Sequence, residues 1–241
     1  MQLAIINKLL KINQQFYQKI ALSFSATRQN LQPGWEQLWT YLNLAQKPRT
    51  ILDVGCGNGR FVDFLKNKLA DFSYLGIDNN PKLLELARQK YAQQDISFQA
   101  QALVPRLQLS TSYDLIVCFA VLHHIPSFEL RLNLLRQLIT YLKPKGFFAI
   151  SLWRFIEDEK LKNKIMPWSK VNLAPKYLEE NDYLLSWGSN SKALRYCHYC
   201  SQKEIAKLKA ALAKELKLIA EYQADGKTKQ LNHYLIWYKR I

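Results

Sequence analysis

The sequence predicts an α/β fold: a mostly parallel, seven-stranded sheet with helices on both faces and an antiparallel C-terminal hairpin. Short apolar runs alternate with helical patterns from residue 50 to residue 153, as strand–helix–strand units require. The stretch Ile51-Leu-Asp-Val-Gly-Cys-Gly-Asn-Gly-Arg60 ends an apolar run in an acid and three alternating glycines ahead of a helical pattern. That order describes a buried strand turning tightly into a helix whose N-terminus faces a ligand. Asp225-Gly226, between two final apolar stretches, is a hairpin signal.

Apolar positions at helical spacing predict a first helix over 3–22, and Ser23 to Arg28 reads as a polar break. Pro33 favours a first helical turn and opens a second helix running to about Ala45. Strands are expected at 50–55, 73–78, 96–101 and 113–119, with helices at 59–69 and 81–91. Helix 127–142 ends at the turn Lys143-Pro-Lys-Gly146, which launches strand 146–153. From Arg154 to Ser201 the periodicity breaks down amid Pro167, Pro175 and many Trp and Tyr, so an irregular lid or binding segment is expected. Helix 202–214 and strands 216–223 and 231–239 follow. The expectation is one domain over 1–241, with 1–47 as a helical cap and 154–201 as a substrate-side insertion.

Half the residues are hydrophobic and aromatics are plentiful, which excludes a disordered chain. Asn7, Lys8 and Lys11 interrupt the apolar N-terminus before a signal-type run forms. No run approaches the ~20 apolar residues of a membrane span. The four cysteines, at 56, 118, 197 and 200, do not resemble a disulfide framework, and a reduced, cytoplasmic protein is expected. The net charge is +15. Residues 51–100 are balanced, while both ends are rich in Lys and Arg. A polyanion is drawn to such flanks, and nucleic acid is the commonest; a solvated basic surface is the alternative.

Gly55, Gly57 and Gly59 allow positive φ and remove β-carbons from the path of a ligand. Arg60 stands where the dinucleotide fingerprint needs glycine, so NAD and FAD are disfavoured. Asp78, ending the second strand, suits a diol because a carboxylate accepts two hydroxyl donors. The fourth strand leads into His123-His124-Ile-Pro126, at the carboxyl edge where such sheets bind ligands. His124 is a candidate for substrate contact, and His123 is expected to be buried and bonded to main chain. No acid or cysteine at ligand spacing accompanies the two histidines, and Cys197-His-Tyr-Cys200 lacks a second pair, so no metal site is expected.

The pattern Asp53-x-Gly-x-Gly-x-Gly59 resembles the first motif of class I S-adenosylmethionine (SAM)-dependent methyltransferases, which implies a Rossmann-like fold and SAM as cofactor. Phe24-Ser-Ala-Thr-Arg28 with Trp35, Ala120-Val-Leu-His-His124, Lys143-Pro-Lys-Gly146, Trp153, Met166-Pro-Trp168 and Arg195-Tyr-Cys-His198 occur in one order. Together they are similar to the tRNA methyltransferases that esterify 5-carboxymethyluridine at the wobble position, the yeast-type enzyme and the methyltransferase domain of the mammalian AlkB-homologue fusion. The resemblance implies cofactor contacts at Asp53, Gly55, Gly57, Gly59, Asp78, Asn79, Gln101, Ala102 and Phe119. It places Arg28, His124, Trp153, Arg195 and His198 in the substrate pocket. As partners it implies the tRNA anticodon loop and a small zinc-binding activator subunit. Three departures stand out: Gln101 lies where an acid is usual, Val104-Pro-Arg-Leu replaces the usual Leu-Pro-Phe segment, and Cys197 stands where a tyrosine is expected. A small-molecule methyltransferase and a catalytically weak RNA-binding protein on the same fold are the competing expectations.

Overall fold

In a computed structural model, residues 1–42, 47–91, 95–188 and 193–240 are described. Seven strands form one sheet: β1 (Thr50–Val54), β2 (Ser73–Asp78), β3 (Ile96–Ala100), β4 (Tyr113–Phe119), β5 (Leu142–Trp153), β9 (Leu216–Ala224) and β10 (Asn232–Lys239). Their order is β3-β2-β1-β4-β5-β10-β9. Pairing is parallel from β3 to β5 and antiparallel at β10 on both sides. The order reverses between β1 and β4, the crevice where open α/β sheets bind ligands.

Side chains on the central strands alternate between two apolar layers. Leu52, Ile116, Phe148 and Ile150 face α5 (Phe128–Thr140) and α7 (Gln202–Leu212). Ile51, Leu115, Val117 and Phe147 face α2 (Pro33–Leu42), α3 (Phe61–Lys66) and α4 (Pro81–Lys90). Each fully buried Leu or Ile contributes about 1.5–3 kcal/mol. The period of two is what commits both faces of the sheet to helices.

Three expectations about elements need correction. The helix α1 (Leu3–Ala26) runs on past residue 22 into the first half of the expected polar break and ends there, with Thr27 as its C-cap. Ser23 Oγ and Thr27 Oγ1 donate back to the carbonyls of Ile20 and Phe24 at 3.0 and 2.8 Å, so these hydroxyls are accommodated on the helix rather than ending it early. The Lys143 to Gly146 turn is an irregularity inside β5, where the pairing shifts from Tyr113–Leu142 to Leu115–Phe147. The 154–201 segment is not an irregular lid. It carries α6 (Glu159–Lys162) and an antiparallel sheet of β6 (Ile165–Met166), β7 (Asp182–Trp187) and β8 (Ala193–His198). Leu184, Leu185, Tyr196 and Cys197 are fully buried there. The expected end of the second helix near Ala45 lies outside the described residues. No described helix is long and apolar enough to cross a membrane.

The helix α1 packs on β8 through Leu9, Asn13, Phe16 and Ile20, one stripe at helical spacing. Asn13 is the polar member of that stripe. Its Oδ1 accepts from Tyr196 N at 2.8 Å and its Nδ2 donates to His124 O at 3.3 Å. The helix thus ties the small sheet to the loop after β4.

Candidate active site

A cavity of about 770 Å³ opens at the carboxyl ends of the central strands, under α1 and β8. On the β1 to β3 side, the chain leaving β1 is anchored by Gly55 N and Cys56 N donating to Ile77 O at 2.7 and 3.1 Å. The three glycines then do different work. All have positive φ, but a β-carbon on Gly55 would meet Val121 at 2.3 Å and one on Gly59 would meet Phe98 at 2.9 Å. Those two are required by packing as well as by φ. Only Gly57 has open space where its β-carbon would stand, and it lines the cavity while Gly59 does not.

Asp78 accepts from Gly57 N at 2.9 Å and Asn80 N at 2.8 Å, which fixes both carboxylate oxygens at the cavity wall. Burial raises its pKa against those bonds. Asp53 is buried and takes a 2.7 Å hydrogen bond from Tyr74 Oη. Burial pushes its carboxyl up to about 7, with the nearby Asp78 adding to the rise. Gln101 lines the same wall and donates through Nε2 to Gln108 O at 3.3 Å, while its buried Oε1 has no partner. Asn79, Ala102 and Phe119 complete the expected cofactor wall.

On the β4 to β5 side stand His123, His124 and Trp153, with Arg195 from β8 above them. The Arg195 guanidinium lies 4.5 Å from the Trp153 ring, 5.3 Å from Phe16 and 5.6 Å from Trp187, and its buried Nε has no partner. His124 is held at both nitrogens. Tyr17 Oη lies 2.7 Å from Nε2, and Nδ1 lies 3.2 Å from Tyr196 O. The neutral tautomer with Nδ1–H donating to Tyr196 O and Nε2 accepting from Tyr17 satisfies both contacts. Burial, and then Arg195, push the His124 pKa down to about 3, and burial pushes the Tyr17 phenol up to about 12. Neither group is charged at neutral pH.

Arg28 lines the cavity between the two sides. Its guanidinium is 4.9 Å from the Phe24 ring, and its carbonyl accepts from Asn58 Nδ2 of the glycine loop at 3.4 Å. Arg60 lines it as well, 5.1 Å from the Trp35 ring. Burial, followed by the like charge of Arg28, lowers the Arg60 pKa to about 10. None of Arg28, Arg60 and Arg195 forms an ion pair among the described residues. Three stacked guanidiniums without carboxylate partners thus face one cavity.

Four of the five expected substrate-side residues converge there, and His198 does not. It is buried outside the cavity, with Nδ1 2.8 Å from Asp182 Oδ1 and Nε2 2.6 Å from Glu204 Oε2. Arg131 completes that network through Glu204 and Glu179, each at 2.8 Å. The expectation for His123 holds only in part: it is buried, but its Nδ1 bonds nothing. Asn13 and Tyr17 went unread in the sequence, where the only signal was a lone amide in an otherwise apolar helical stripe.

A methyltransferase domain model matches residues 26–212. The chain belongs to that methyltransferase domain family. A mouse tRNA (carboxymethyluridine(34)-5-O)-methyltransferase, ALKBH8, is 28% identical over 67% of this methyltransferase and 23% of its own length. An Arabidopsis thaliana protein of the same enzyme name is 30% identical over 68% of the chain and 37% of its own. The matches thus span about a quarter to a third of those relatives. A SAM-dependent methyltransferase structure from Methanosarcina mazei superposes with a TM-score of 0.64 at 20% identity, over 88% of this chain and 99% of that one. The chain has the fold of the SAM-dependent methyltransferases. The cavity fits the cofactor: Gln101 Oε1 is an orphaned acceptor, Asp78 a fixed carboxylate and Gly57 an open stretch of main chain.

Proposed function

We propose that this methyltransferase esterifies the carboxylate of 5-carboxymethyluridine, or a related modified uridine, at the wobble position of tRNA. The observation that carries the reading is the trio of aromatic-stacked arginines with no acidic partner in a cavity whose opposite wall is the glycine loop. A small neutral acceptor gives no reason for such a wall, because a buried guanidinium such as that of Arg195 is costly unless an anion completes it. The names of the vertebrate and plant relatives support the same acceptor.

When bound, SAM supplies a methyl group on a sulfonium centre. Asp78 would accept the ribose hydroxyls, Gln101 Oε1 the adenine amino group, and Gly57 would bring main chain against the methionine end, with Asp53 beside it. Arg195 would hold the acceptor carboxylate through paired donors, and Trp153 would stack on the extruded uracil. A carboxylate is already ionised at neutral pH, so the wall needs no base. The uncharged states of His124 and Tyr17 agree with that. What the residues contribute is placement of the carboxylate in line with the methyl group.

The test is mass spectrometry of tRNA nucleosides after incubation with protein and SAM, using tRNA from cells lacking the protein. A wobble uridine gaining one methyl group is expected, and unchanged wobble species would sink the proposal. In the same assay Arg195→Ala should lose turnover with SAM binding nearly intact. Equal loss of both would move Arg195 to the cofactor side.

A further inference from the structure

We infer that His123, His124 and Cys197 form a site for one thiophilic divalent metal ion of the zinc class, at the edge of the cavity. One ligand atom from each lies within 4.8 Å of the others. Zinc takes imidazole nitrogen and thiolate at about 2.0 and 2.3 Å, which sets neighbouring ligand atoms about 3.3–3.6 Å apart.

A second observation is independent of that spacing. The Nδ1 atom of His123, a residue 4% exposed, has no hydrogen-bond partner. A buried imidazole nitrogen left unmatched costs about 1–3 kcal/mol, and coordination is one way to use it. Two imidazoles and a thiolate select zinc-like ions over magnesium or calcium. Three protein ligands leave a fourth position for water or an anionic oxygen, the arrangement of open rather than structural zinc sites. Here that position borders the cavity lined by both histidines.

The scaffold is already set. The histidines sit on one 3-10 turn, Leu122–His124, and the strand bearing Cys197 is held against it by Asn13, bonded to both His124 O and Tyr196 N. The other metal-compatible clusters, around His198, are differently placed. Both His198 nitrogens are spent on Asp182 and Glu204, and Arg131 already pairs with Glu204 and Glu179. At the proposed site uptake turns the Cys197 thiol into thiolate and releases one proton to solvent. His124 gives up one of its two hydrogen bonds, to Tyr17 or to Tyr196 O. Arg195 opposes the cation, so an anion in the cavity should tighten metal binding, and metal should tighten the anion by the same factor.

The test uses the full chain, stripped with chelator and titrated with cobalt(II). Expected is one equivalent bound with a thiolate-to-cobalt charge-transfer band, displaced by zinc. Cys197→Ser should abolish the band, His123→Gln should weaken binding, and Cys200→Ser should leave both unchanged. No thiolate band in the wild-type chain overturns the inference, as does a band that survives Cys197→Ser in variants whose circular dichroism is native. The readout involves no methyl transfer, so failure of the tRNA reading leaves it standing.

Discussion

At the scale of single residues the site is governed by charges held in unusual states. Asp53 is the clearest, a carboxyl kept protonated up to about pH 7 by burial while Tyr74 donates to it. The cationic methionine end of SAM favours the ionised form, so below about pH 7 each bound cofactor must first displace a proton. That costs about 1.4 kcal/mol per pH unit. SAM affinity should therefore rise about tenfold per unit as pH increases towards 7 and level off above it. Asp53→Asn should bind more weakly at pH 8 and show a flat profile. Calorimetry in buffers of different ionisation enthalpy measures the proton released, and a wild-type profile as flat as the variant's would refute the assignment.

At the scale of elements, β8 joins two buried polar systems with opposite purposes. Arg195 faces the cavity, whereas His198, three residues on, closes an ion network linking β7, α5 and α7. Burial disfavours the His198 imidazolium, but the bonds to Asp182 and Glu204 outweigh it and raise its pKa. A raised histidine stabilises the fold fully below its unfolded value of about 6.5 and loses that contribution as pH climbs through the folded value. Unfolding free energy should fall over that window, and His198→Gln should remove the slope. Glu204→Gln, which leaves Arg131 and His198 short of an anion, should cost about 3–5 kcal/mol in denaturant titrations. A cost under about 1 kcal/mol would show that the network is not structural. Such a network was illegible in the sequence because its members lie on four elements, β7, β8, α5 and α7, without local pattern. The strand and helix periods of β1 to β5, with the glycine turn, could be read because those signals are local. The small sheet could not, since β6 has two residues and β7 and β8 are crowded with polar and aromatic side chains. Cys197 reaches the histidine pair only through tertiary pairing, which is why sequence spacing argued against any metal ligand set there.

At the scale of the whole molecule the net charge of +15 separates the acceptor readings. A nucleoside-sized acceptor meets only the cavity, so its affinity should respond weakly to salt. A tRNA anticodon arm must also lay its phosphates on Lys- and Arg-rich surface. Each neutralised phosphate then adds about −0.7 to −0.9 to the slope of log affinity against log salt. Six contacts would weaken binding about a thousandfold between 50 and 200 mM salt. The measurement is affinity for an anticodon stem-loop and for the isolated modified nucleoside over that range, with SAM affinity as the internal control. A steep slope for the stem-loop and a shallow one for the nucleoside is expected. Removing Arg195 should lower both affinities while changing the stem-loop slope by no more than one phosphate's worth, because that guanidinium sits inside the cavity among three rings rather than on the outer surface. Parallel shallow slopes would mean that the basic flanks take no part in substrate binding, and the acceptor would then be a small molecule.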